Sequence, residues 1–150
     1  MRKVKIAQIG TSTNSHGNDI FNCLKRNSDV FEIVGYALPE NEREKFPERM
    51  AAFEGYREMT VEEILNDPEI EAVAVETEEI YLTKYARMVA DAGKHLHMEK
   101  PGGRELADGP APVFQRQRSS RCLQQEAGRA GTRCVEVVSF CRAAEGRGWL

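Results

Sequence analysis

Val4-Lys5-Ile6-Ala7-Gln8-Ile9-Gly10-Thr11-Ser12-Thr13-Asn14-Ser15 opens the 150-residue chain with an apolar run, a glycine and a polar turn. Val4–Ile9 has the length and apolarity of a buried parallel strand, and Gly10 ends it. Asp19-Ile20-Phe21-Asn22-Cys23-Leu24 starts a helix with apolar positions at 20, 21 and 24. Phe31–Ala37 reads as the second strand, Asn41–Phe53 as a charged helix, and Gly55-Tyr56 as a short third strand. Thr60-Val61-Glu62-Glu63 has the Thr-x-x-Glu form of a capping box and opens a helix through Leu65. Ile70–Val75 is a fourth strand. Ile80–Ala92 is an amphipathic helix that stops at Gly93, and Lys94–Met98 is a fifth strand.

Strands alternating with helices in this way predict βαβ units: an α/β fold, Rossmann-like, with a doubly wound parallel sheet and helices on both faces. Right-handed crossovers bring the strand C-termini, at Gly10, Leu38, Thr77 and Glu99, to one edge. A doubly wound sheet binds its ligand at that edge.

Charge divides the chain in two. Residues 1–108 carry 14 Lys+Arg against 21 Asp+Glu, a balance of −7, whereas residues 109–150 carry 7 Arg, no Lys and 3 Glu, a balance of +4. An acidic body argues against nucleic acid as a partner, because phosphate backbones require a basic surface. No segment approaches the roughly 20 apolar residues that span a bilayer, and the run after Met1-Arg2-Lys3 is too short and too polar for a signal peptide. No membrane partner and a cytoplasmic location are therefore expected. Cys23, Cys122, Cys134 and Cys141 form no C-x-x-C pair and none sits at ligand spacing from His16, His95 or His97, so neither a zinc site nor a disulfide framework is expected.

Four loops at the sheet edge carry the chemistry. After the first strand, Gly10-Thr11-Ser12-Thr13-Asn14-Ser15 keeps the first glycine of a G-x-G-x-x-G turn and puts small hydroxyl residues at the others. Such a turn lets backbone approach a pyrophosphate, which then meets helix N-terminal amides; a plain strand-to-helix turn capped by Ser or Asn has the same appearance. The second strand ends Ala37-Leu38-Pro39-Glu40, with Leu38 at the register of the acid that bonds ribose hydroxyls in NAD sites. Glu40 either reaches round to that place or is a solvated loop acid. Thr77-Glu78-Glu79 follows the fourth strand, its two acids facing the site or capping the next helix. His95-Leu96-His97-Met98-Glu99-Lys100-Pro101-Gly102-Gly103 closes the fifth, with His95 and His97 expected to pack or bond structurally rather than act.

This order of elements, ending in Glu99-Lys100-Pro101, resembles the cofactor-binding half of the Gfo/Idh/MocA family of NAD(P)-dependent oxidoreductases over residues 3–108. The resemblance implies an NAD or NADP cofactor and hydride transfer at a hydroxyl or carbonyl carbon of a sugar- or cyclitol-like substrate. It implies that Gly10, Ser12, Thr13 and Asn14 contact the pyrophosphate, that Thr77 lines the cleft, and that Glu99 and Lys100 lie nearest the nicotinamide. Lys100 is the expected catalytic residue, its ammonium stabilising an alkoxide or helping to move its proton. The missing glycines, Leu38 and Glu78-Glu79 leave a second reading open, a non-catalytic nucleotide-binding or interaction module.

Family members continue into a helix that starts much like Arg104-Glu105-Leu106-Ala107-Asp108, then a substrate domain. Gly109-Pro110-Ala111-Pro112 breaks that helix after about one turn. Beyond it Lys, Ile, Asn, Tyr and His vanish while Arg, Gly, Ala and Gln abound, the change in codon class that a reading-frame shift produces. The expected organisation is a cofactor-binding domain over 1–108 and an atypical, irregular tail over 109–150. Lacking a substrate domain, the 150-residue chain is expected to be inactive alone.

Overall fold

A computed structural model describes residues 2–99. Four parallel strands form one sheet: β1 (Val4–Ile9), β2 (Phe31–Ala37), β3 (Ala72–Val75) and β4 (His95–Met98), in the order β2-β1-β3-β4. Helices α1 (Gly17–Arg26), α2 (Glu42–Lys45), α3 (Val61–Asn66) and α4 (Glu79–Asp91) complete the described part, with a 3-10 helix over Pro47–Phe53.

Alternation along β1 decides what packs where. Ile6 joins Leu24 of α1, Phe31 and Ala72 in a core on one face. Ala7 and Ile9 turn to the other face, where they meet Ile64 of α3 and Leu82, Ala86 and Val89 of α4. Helices thus cover both faces, as the sequence pattern requires. A third cluster joins α1 to the 3-10 helix, with the Phe21 ring centroid 4.6 Å from Phe53, 5.1 Å from Tyr56 and 6.2 Å from Tyr36.

Strand β1 pairs with both β2 and β3, and successive crossovers leave it in opposite directions along the sheet. The strand order therefore reverses between β1 and β3, opening a crevice at their C-terminal ends.

Two expected elements differ. The charged helix over 41–53 divides, because Pro47 has no N–H to continue α2 and forces Phe46 out of the helical region, at φ −130° and ψ 56°. The third strand at Gly55-Tyr56 is absent. Gly55 turns the chain at φ +83°, and the pairing falls two residues later as a single parallel bridge between Tyr36 and Glu58. Helix α1 starts at Gly17, two residues before Asp19, and the Thr60–Glu63 capping box forms as its spacing demands. The expected tail over 109–150 lies outside the described residues.

Candidate functional site

At the crevice the loops after β1 and β3 meet almost backbone to backbone. Gly10 sits at φ +85°, and a Cβ on it would fall 2.6 Å from the N, Cα and Cβ of Thr77. Only glycine satisfies both conditions, so Gly10 is required by the conformation and by the close approach.

The polar turn that follows is closed by its own side chains. Ser15 Oγ accepts from the amides of Ser12 and Gly17, each at 3.1 Å, and donates to the Ser12 carbonyl. Ser12 N–H also donates to the Glu76 carbonyl at 3.1 Å, while Arg49 holds the Thr13 carbonyl from outside at 3.0 Å. Ser12 is buried; Thr13 and Asn14 are exposed just ahead of the α1 N-terminus.

Glu42, which sequence reading passed over, occupies the centre of the crevice. Its side chain is fully buried; Oε2 accepts from Thr11 N–H at 2.9 Å and Oε1 from the Thr77 hydroxyl at 2.5 Å. Burial pushes its carboxyl above the ordinary range, against the pull of those two donors. Two consecutive left-handed residues, Glu40 and Asn41, both at φ 59°, turn the chain after Pro39 so that α2 aims this carboxyl inward. Such a pair carries a strain of order 1–3 kcal/mol per residue, which explains why residue spacing alone did not place the acid.

Glu40 itself goes elsewhere. It accepts from Lys84 Nζ and Tyr85 Oη, each at 2.7 Å, and the Lys84 ammonium foremost holds its carboxyl below the usual range. Lys84 and Tyr85 border a cleft of about 440 Å3 lined also by Leu38, Pro39, Met59 and Met88. Glu78 pairs with Lys45 at 2.7 Å, and Glu79 begins α4, so both acids serve the helix end.

On the far side of the turn lies a second group. Glu76 is fully buried, and His97 Nε2 stands 3.2 Å from its Oε1, out of line for a hydrogen bond. Burial raises the Glu76 carboxyl, His97 opposing. His16 Nδ1 lies 2.5 Å from Glu99 Oε2. His97, expected to pack or bond structurally, lies in an acid–imidazole cluster on the face of β4 that Glu99 shares. Gly10, Ser12, Thr13, Asn14, Thr77 and Glu99 all lie at this edge, while Lys100 falls outside the described residues.

A glycine-turned loop that meets the loop of the strand across the switch point is the arrangement of a dinucleotide-binding sheet. Residues 4–124 match the oxidoreductase family with the NAD-binding Rossmann fold, Gfo/Idh/MocA. The chain belongs to that family. No curated protein matches it. Among solved structures, yvaA from Bacillus subtilis is 25% identical with a TM-score of 0.56, over 71% of this chain and 30% of that one. The WlbA dehydrogenase from Chromobacterium violaceum, solved with NADH and UDP-GlcNAcA, is 19% identical with a TM-score of 0.59, over 72% and 30%. Biliverdin reductase from Synechocystis, solved with biliverdin and NADP+, is 22% identical with a TM-score of 0.57, over 70% and 32%. This chain spans about a third of the length of those proteins. It is an NAD(P)-binding oxidoreductase domain of the Gfo/Idh/MocA family, and among its described residues no helix is long and apolar enough to cross a membrane.

Proposed function

We propose that the chain holds a nicotinamide dinucleotide across the crevice between β1 and β3, as the cofactor half of an oxidoreductase acting on a sugar- or cyclitol-like hydroxyl or carbonyl carbon. One observation carries the reading: Gly10 packs without a side chain against Thr77, placing the turn and the start of α1 at the topological switch point. When bound, the nicotinamide exchanges a hydride with the substrate carbon. The chain's own residues bind and orient it.

Thr13 and Asn14, exposed before α1, are the turn residues left to meet the pyrophosphate, because the amides of Thr11 and Ser12 are engaged by Glu42, Ser15 and Glu76. Gly10 and Ser12 shape the turn, and Thr77 and Glu99 line the cleft. Lys100, following Glu99, handles the substrate hydroxyl and its proton, as the family resemblance implies. Glu42, buried and bonded to Thr11 and Thr77, braces the turn from α2 and does not replace the ribose-binding acid at Leu38, so the cofactor is NAD or NADP. The substrate carbon itself is held by a second domain, which residues 1–108 do not contain.

Structural neighbours solved with NADH or NADP+ support the cofactor, and the one solved with UDP-GlcNAcA supports a sugar-like substrate. The engaged amides of Thr11 and Ser12 favour the alternative, a module that has kept the sheet and lost the cofactor. Titrating the chain with NADH and following nicotinamide fluorescence separates the two. Saturable binding is expected; no binding at millimolar cofactor establishes the module.

A further inference from the structure

The pyrophosphate of a dinucleotide brings two negative charges to the turn after β1, and that turn has little left to answer them. Between residues 10 and 17 the amides of Gly10, Thr11, Ser12, Ser15 and Gly17 already donate within the protein. Basic side chains around the edge are mostly paired: His16 lies against Glu99, Lys45 against Glu78 and Lys84 against Glu40. Arg49 is different.

Arg49 lies in the 3-10 helix over Pro47–Phe53, which the Phe21–Phe53 ring contact docks on α1. Its backbone is fixed at the start of α1, where Asn18 Nδ2 donates to its carbonyl at 3.2 Å. Asn18 Oδ1 in turn accepts from the Thr11 hydroxyl at 3.0 Å, so a short chain of bonds ties Arg49 to the turn. The guanidinium reaches the same turn. Its Nη2 donates to the Thr13 carbonyl at 3.0 Å and its Nη1 to the Ser15 carbonyl at 3.4 Å. Those bonds use two of the five N–H donors of a guanidinium, and Arg49 pairs with no acid among the described residues. The Nη2 contact lies at the exposed surface, beside the exposed Thr13 and Asn14.

We propose that Arg49 is the pyrophosphate-binding cation of this site, its remaining N–H donors serving phosphate oxygens at Thr13 and Asn14. The inference rests on the cofactor reading above. A guanidinium presents a planar fork that gives a phosphate two parallel charge-assisted bonds, and holding it beforehand at two carbonyls lowers the cost of ordering it. Contributed from outside the glycine turn, it stands in for amides that the turn uses internally. Both carbonyls that position Arg49 belong to the turn ahead of α1. That places it at the pyrophosphate, common to NAD and NADP, whereas Leu38, at the register of the ribose acid, lines the separate cleft bordered by Lys84 and Tyr85.

The test is equilibrium binding of NADH and of NADPH to the full 150-residue chain, followed by nicotinamide fluorescence, in wild type, Arg49→Met, Arg49→Lys and Arg26→Met. Arg26→Met is the control, since it removes a like charge from the last turn of α1, at the far end from the site. Arg49→Met should weaken both cofactors about tenfold, the lower end for bonds to a charged group because the site is partly exposed. Arg26→Met should bind as wild type. A lost phosphate contact also removes part of the salt dependence of binding, which a lost brace on two neutral carbonyls does not. The fall in NADH affinity with added salt should therefore be shallower in Arg49→Met and restored in Arg49→Lys, which keeps the charge without the fork. Unchanged affinity in Arg49→Met, a loss with undiminished salt dependence, or a loss confined to NADPH, which would put Arg49 at the 2′-phosphate, overturns the inference while leaving the cofactor reading intact. Failure of the wild-type chain to bind either cofactor at millimolar concentration overturns the cofactor reading, and this inference with it.

Discussion

Replacing Gly10 by alanine tests the close approach on which the site depends. Two costs add. At φ +85° an alanine meets the left-handed penalty, about 1–2 kcal/mol. Its Cβ also lands 2.6 Å from three atoms of Thr77, two of them backbone, so no rotamer change relieves the overlap. Thr77 is in turn tied by its hydroxyl to the buried Glu42, and the neighbouring Glu76 amide donates to the Ile9 carbonyl at 2.8 Å. The loop cannot retreat without breaking these bonds. An overpacking cost of about 1–3 kcal/mol follows, and the total reaches about 3–4 kcal/mol, a large share of the 5–15 kcal/mol typical of a whole domain.

Gly93 provides the control, since it has φ +71° but nothing within 4 Å of an added Cβ. Gly93→Ala therefore meets only the conformational cost. In urea denaturation followed by circular dichroism, Gly10→Ala should lower the midpoint by roughly 2 M at unchanged slope, and Gly93→Ala by well under half of that. The difference between the two isolates the contact with Thr77. Equal destabilisation of both variants would refute the close approach and with it the crevice geometry.

Phe21→Ala removes the ring shared by Phe53, Tyr36 and Tyr56 and should cost about 3–5 kcal/mol, read as a fall in thermal midpoint; a loss under about 1 kcal/mol would mean that α1 does not pack as described. Thr60→Ala removes the acceptor for the Glu63 amide, 3.1 Å away, and should cost about 1 kcal/mol by urea denaturation. Burial raises the folded-state pKa of both Glu42 and Glu76 above the ordinary carboxylate value of 4.5, so the folded chain holds protons that the unfolded chain releases. The contribution of these two groups should be fully present below about pH 4.5 and be lost as pH rises through the raised values, and Glu76→Gln should lose less. Parallel melting curves for wild type and Glu76→Gln between pH 5 and 8 would count against that assignment.

Strand and helix order was legible in the sequence because burial writes it twice, as apolar strand runs and as helix periodicity. Val4–Ile9 and Phe31–Ala37 match their sequence bounds residue for residue, and Thr60–Glu63 formed the capping box its spacing requires. Tertiary geometry decided the rest. Pro47 split one charged helix, and the Gly55 turn displaced a strand into a single bridge at Glu58. Site residues on the turns followed from the motif, whereas Glu42 did not. Its approach to Thr11 depends on two left-handed residues, Glu40 and Asn41, and neither is the glycine that would have signalled them.

The chemistry of the crevice turns on those two acids. A pyrophosphate carries two negative charges, and placing it between two ionised carboxylates would be unfavourable in a site shielded from water. Burial relieves that conflict, since it favours the neutral form of Glu42 and of Glu76 alike. Their consequences nevertheless differ because their partners differ. Glu42 accepts from Thr11 and Thr77 and so knits the two loops together whatever is bound. Glu76 lies buried on the other side of the turn with His97 Nε2 3.2 Å from its Oε1, where β3 meets β4. One acid therefore ties the β1 loop to the β3 loop, and the other joins His97 beneath the start of α1.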